Sequence, residues 1–205
     1  MGMYGYLRRI APSHVPRIRD DPRLLEAFLF GDRVQVVEER VPGLLGFFLR
    51  LTRIKVEVAA PVQPSEDPLW PLPRTGEMLG LDKAWHGLHF LLTGTADGGR
   101  EPACFLMSGG EPLGDEDDDG FQAHLLDAEQ VRWFAEHLAS LDAAEMTRRF
   151  DPERMTALRI YPDVIWKRPE EEDAPRGYLL AAFADLREFV GSAAADGDAV
   201  VVCIS

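Results

Sequence analysis

Apolar positions along the chain repeat with two periods, two residues in some segments and about three and a half in others, and these predict strands and helices respectively. Met3-Tyr4-Gly5-Tyr6-Leu7-Arg8-Arg9-Ile10 is rich in aromatic and apolar residues and reads as a first strand. Ser13 is placed to cap a short helical turn. Asp21-Pro22 opens a helix that carries Leu24, Leu25, Phe28 and Leu29 and closes at Gly31, because proline's fixed φ suits the first helical position. Residues 43–52 are apolar nearly all round, which predicts a buried helix, and Ile54-Lys55-Val56-Glu57-Val58 alternates as a strand does. Pro61, Pro64, Pro68, Pro71 and Pro73 each remove an amide donor, so residues 61–75 should be an extended loop anchored by Trp70.

The second half is patterned more sharply. Ala103–Met107 is a candidate strand, residues 109–120 a loop of glycine and acids, and Phe121–Leu126 another strand. Asp127 with Gln130 forms a capping pair opening a helix with Val131, Phe134, Leu138 and Leu141 at helical spacing. Asp142 with Glu145 repeats that signal, and Asp151-Pro152 starts a short helix that Tyr161-Pro162 breaks. A final helix bears Leu179, Phe183, Leu186, Phe189 and Val190 behind the acidic residues Glu170–Asp173, and Asp198–Ile204 closes the chain as a strand. Strands and helices do not alternate as βαβ units. The expectation is an α+β fold, a single domain over 1–205 with a mainly antiparallel or mixed sheet packed against several helices.

Between the halves, Lys83 to Thr93 reads as a helix capped by Asp82 and stopped by Gly94. Leu81, Trp85, Leu88 and Leu92 share one stripe, which is a core face. Asp82, His86, His89 and Thr93 share the neighbouring one, since steps of three and four return to the same side.

Composition narrows the class of function. Lys and Arg number 22 against 35 Asp and Glu, a net charge of −13. Residues 1–100 carry 13 basic and 12 acidic side chains, whereas residues 101–205 carry 9 and 23. Non-specific binding to nucleic acid or an anionic membrane depends on Lys/Arg clusters, so neither partner is expected. The longest apolar stretch, Leu44-Leu45-Gly46-Phe47-Phe48-Leu49, ends at Arg50, far short of the roughly 20 residues that span a bilayer. The N-terminus has no charged start, apolar run and small-residue cleavage site, which predicts no signal peptide. Cys104 and Cys203 match no metal or redox spacing and sit in apolar runs, as buried thiols in a reducing compartment do. The cytoplasm is the expected setting. Nineteen Arg against three Lys, with no Asn, fits a GC-rich bacterial genome.

Three stretches together bring a family to view. Met1-Gly2-Met3-Tyr4-Gly5-Tyr6, Leu81-Asp82-Lys83-Ala84-Trp85-His86-Gly87-Leu88-His89-Phe90-Leu91-Leu92-Thr93-Gly94 and Ile160-Tyr161-Pro162 resemble the YfbM-like family, a bacterial domain of unknown function. The resemblance spans nearly the whole chain, and its middle motif is the specific one. It implies an α+β single domain in a bacterial cytosol and no established activity. Residues about 34–75 are longer and more proline-rich than the compact family pattern.

His86 and His89, one turn apart, can grip a metal, but zinc takes three or four ligands, and His124 and His137 are distant in sequence. The expected role of His89 is a partly buried imidazole, hydrogen-bonded to backbone or to a carboxylate, holding the helix against the sheet. Asp115, Asp117 and Asp119 with Gly120 match the first half of a calcium loop, yet the twelfth position, which needs a bidentate Glu, is Leu126; a solvated acidic loop over 111–120 is expected. Gly109, Gly110 and Gly114 form no phosphate-binding pattern, and Cys104 and Ser108 lie in no nucleophile motif. No cofactor follows from the sequence. Two functions remain: a non-catalytic module whose acidic C-terminal half docks a basic protein, or a small-ligand protein or enzyme. The latter would use a cleft beside the 81–94 helix, with His89 as acid/base, Asp82 and Lys83 as charged helpers and Tyr4, Tyr6, Trp85 and His86 around it.

Overall fold

A computed structural model describes residues 2–20, 25, 28–29, 77–116, 120–168 and 175–205. The expected helix over 43–52, the strand over 54–58, the proline-rich loop with Trp70 and the acids Glu170–Asp173 lie outside those residues. So do Asp117 and Asp119.

Among the described residues, five antiparallel strands form one sheet in the order β2-β1-β5-β4-β3, with β1 Gly5–Ile10, β2 Met78–Asp82, β3 Glu111–Leu113, β4 Ala123–Leu126 and β5 Ala199–Ile204. The closing strand is central because its Val200, Val201 and Val202 face cores on both sides, a pattern that suits an interior strand. β1 runs beside it in continuous register from Gly5 opposite Ile204 to Ile10 opposite Ala199.

Six helices are present among the described residues: α1 Val15–Asp20, α2 Ala84–Thr93, α3 Ala128–Ala139, α4 Ala143–Arg149, α5 Pro152–Ala157 and α6 Pro175–Asp196. α2, α3 and α6 cover one sheet face with Trp85, Leu88, Phe134, Leu138, Leu179, Phe183 and Leu186. Val15, Ile18, Phe28 and Leu29 close the other face over Ile10, Leu125 and Val201. No helix among the described residues is long and apolar enough to cross a membrane.

The capping logic holds where it was sharpest. Asp127 accepts from the Glu129 and Gln130 amides while its own amide donates to Gln130 Oε1. Asp142 and Asp151 cap α4 and α5 through the amides three residues on. Several expectations need correction. β1 starts at Gly5 and β4 at Ala123, each two residues late, and α5 ends at Ala157, before Tyr161-Pro162. Ala103–Met107 is no strand. It runs through turns closed by bonds such as Ser108 N–H to Cys104 C=O, and its apolar run is used by wedging Phe105 edge-on against Phe134. Asp82 does not cap α2: it ends β2 at φ 46°, and its carboxylate accepts a bond from the Tyr178 hydroxyl. Lys83 stands at the N-cap, with its own amide donating to Tyr178 Oη. Cys104 is buried as expected, but Cys203 is half-buried.

Two glycines permit this packing. A Cβ at Gly5 would stand 2.6 Å from Trp85 Cβ, and one at Gly87 2.8 Å from both Leu179 and Trp166. Bare backbone lets α2 lie directly on β1 on one side and on α6 on the other.

Candidate functional site

The start of α2 sits where β1, β2 and α6 converge, and there the sequence's surface candidates meet. The Lys83 ammonium lies over the Tyr4 ring, 5.8 Å from its centre, and Asp82 is held 3.1 Å from Tyr178 Oη. Burial, then the Asp82 charge, push the Tyr178 hydroxyl up to about 12, so it is a standing donor at neutral pH. Tyr161 completes the group, accepting from the Met3 amide at 3.1 Å. Tyr4 and Asp82 are exposed and Lys83 is half-buried. Tyr6 is elsewhere: strand alternation sets it opposite Cys203, on the sheet face away from Trp85.

Beneath this rim, Trp85 is buried and stacked on His86 at 4.8 Å with a 7° interplanar angle. Tyr161 lies over Trp85 at 6.0 Å and Phe121 meets it edge-on at 5.6 Å. The tautomer of His86 follows from its partners. Nδ1 accepts from the Tyr161 amide at 2.9 Å, so Nε2 carries the proton and donates to Ala96 C=O at 2.9 Å. Burial lowers its pKa, against the Ala96 carbonyl and the Asp97 charge. Nδ1's lone pair is taken by the Tyr161 amide and Nε2 carries the proton, which leaves no lone pair for a metal.

His89 differs. The expectation of a partly buried, hydrogen-bonded imidazole is corrected: the ring is fully enclosed, at 0% exposure, and neither ring nitrogen has a hydrogen-bond partner. Burial, then the proximity of His86, push its pKa down to about 4, opposed weakly by Asp97 and by the Gly98 backbone, which lies outside hydrogen-bond geometry. The imidazole is neutral at neutral pH and out of reach of solvent. No group of three or more metal-ligating side chains occurs among the described residues.

A cavity of about 290 Å³ opens at the end of the sheet, lined by Met107, Ser108, Phe121, Gln122, His124 and Cys203 among others. Its polar groups are neutral, and His124 Nε2 is already bonded to Phe105 C=O at 3.0 Å. Asp115, Glu116 and Gly120 of the acidic loop are exposed. Elsewhere on the C-terminal half, Glu101, Glu129, Glu136, Asp163, Asp185 and Glu188 are exposed as well. These six, with Asp115 and Glu116, make no ion pair among the described residues. Sequence reasoning missed Tyr161 and Tyr178 as members of the α2 rim. They arrive from 75 or more residues away; Tyr161 stood out only within the Ile160-Tyr161-Pro162 stretch, and nothing local ties either tyrosine to α2.

A family model described as "Domain of unknown function (DUF1877)" matches residues 1–203. Protein YfbM of Escherichia coli (strain K12) is 27% identical over 133 residues, which is 63% of this chain and 79% of that protein. A crystal structure of a protein of unknown function, YfbM from Escherichia coli, superposes with a TM-score of 0.62 over 98% of this chain and 99% of that chain, at 21% identity. The likeness supports the expected α+β architecture across the described residues.

Proposed function

This chain belongs to the DUF1877 family of unknown function, and from that premise we propose that it is a non-catalytic binding module of the bacterial cytoplasm whose acidic C-terminal half docks a basic protein. One observation carries the reading: eight exposed carboxylates of that half have no ion-pair partner among the described residues. The basic side chains nearby are largely taken. Arg148 and Arg149 pair with Glu145, and Lys167 pairs with Glu153. A surplus of unpaired negative charge supplies a field that speeds and orients encounter with a cationic surface.

The competing reading, a small-ligand site or enzyme beside α2, draws on the unpartnered His89. It requires that imidazole to reach solvent, and its enclosure favours docking over acid/base chemistry. The test is affinity capture from bacterial lysate at low and at high ionic strength. A basic protein retained at low salt and released at high salt is the expected result. Absence of any salt-sensitive basic partner overturns the proposal.

A further inference from the structure

Trp133 is the most exposed aromatic side chain among the described residues, at 46%. It stands on the solvent side of α3, whose Val131, Phe134 and Leu138 are buried against the core. Its ring does not swing freely: it meets the fully buried Phe105 edge-on, centroids 5.9 Å apart at 81°. Glu129 lies four residues before it and Glu136 three after, so both carboxylates rise from the same helix face. Neither has an ion-pair partner among the described residues. Arg132 lies within a turn of both yet pairs with neither, and no described cation sits over the Trp133 ring. Glu101 adds a third carboxylate on the Phe105 side. Its Oε1 and the Phe105 ring edge lie 3.0 and 2.8 Å from the point a Gly109 Cβ would occupy.

We propose that this face of α3, with Trp133 at its centre and Glu129 and Glu136 as its rim, is the docking surface, and that it takes an arginine-bearing segment of a partner protein. The inference rests on the binding-module reading above and says where and how that module grips. Charge complementarity selects the occupant. The rim is acidic within a chain of net charge −13, so a cation is favoured over an anion or an apolar helix. Arginine fits better than lysine. A planar guanidinium lies flat on an indole while its N–H groups donate to a carboxylate on either side, whereas an ammonium is a strongly hydrated point charge with no flat face. A tryptophan already braced by Phe105 loses little freedom on binding, which is what interface anchors require.

The probe is a short arginine–glycine repeat peptide, with its lysine–glycine counterpart as control, titrated by calorimetry at low ionic strength. The arginine peptide should bind more tightly than the lysine peptide. Trp133→Ala should weaken the arginine peptide about tenfold, and Glu129→Gln with Glu136→Gln should weaken it and flatten its salt dependence. In the unsubstituted protein, the Trp133 indole N–H resonance should shift on titration, which keeps the test independent of any variant's folding. If peptide binds but that resonance is still and Trp133→Ala binds equally well, this surface is wrong while the module reading stands. Equal affinity for the two peptides overturns the arginine assignment. Failure of both peptides to bind overturns this surface, while the module reading stands or falls on the salt-dependent capture from lysate.

Discussion

His89 concentrates the residue-scale question. A buried imidazole with two unpartnered nitrogens pays a desolvation cost that no hydrogen bond returns, so the charged form is strongly disfavoured. The consequence for stability has a definite sign. The unfolded chain protonates this histidine near its ordinary value of about 6.5, while the folded protein resists until about 4. Between those values the unfolded state holds more protons, so folding stability is full above about pH 6.5 and falls as pH drops through that window. The loss attributable to His89 is on the order of 3 kcal/mol at its lower end. His86, His124 and His137 are shifted in the same direction by burial, so the parent protein's acid sensitivity is shared. Urea titrations of the parent and of His89→Met at pH values across the window should isolate the share. The variant's stability should fall less steeply; parallel curves would reject the assignment. The sequence placed His86 and His89 together on one stripe, and that much was legible. That one would be tied at both nitrogens to Tyr161 and Ala96 while the other went unpartnered was not, because those groups come from outside the helix.

At the scale of elements, local signals and tertiary ones divide cleanly. The reciprocal bonds of Asp127 and Gln130 were readable from their spacing, since a cap depends only on residues within one turn. Arg9 was not. In the sequence it is a polar interruption of an apolar strand. In the fold its guanidinium is buried and bonded to Asp198 at 2.6 and 2.9 Å, to Glu77 and Asp196 at 2.5 Å, and to Ser192 at 3.1 Å. It ties β1 to the segment before β2 and to the turn from α6 into β5. Asp198 is equally buried, so removing its partner leaves a charge with neither water nor counterion. Arg9→Met should destabilise the protein by about 3–5 kcal/mol in denaturant unfolding, whereas the exposed pair Arg19 and Glu111 should be worth under about 1 kcal/mol when either is replaced. A loss below that upper range at Arg9 would mean the network is not the clasp described. The failed strand at Ala103–Met107 teaches the same division: an apolar run announces burial, and only neighbouring elements decide whether it pairs or packs.

For the whole molecule, the excess of acid acts against compaction as well as toward partners. A net charge of −13 repels itself within the folded volume, and salt screens that repulsion while leaving the buried Arg9–Asp198 pair largely unaffected. The melting temperature should therefore rise by a few degrees as sodium chloride is added from low ionic strength, measured by scanning fluorimetry; a fall would show that surface attractions outweigh the repulsion. Composition and local spacing sufficed for the α+β class, the family resemblance, the principal capped helices, the closing strand and the acidity of the C-terminal half. Each of these depends on composition or on neighbours within a turn or two of chain. The order of strands, the burial of Arg9, the solitary enclosure of His89 and the bracing of Trp133 by Phe105 were decided only by the tertiary structure. Those contacts join residues separated by as many as 189 positions, and packing, not local spacing, selects among the partners that the chain makes available.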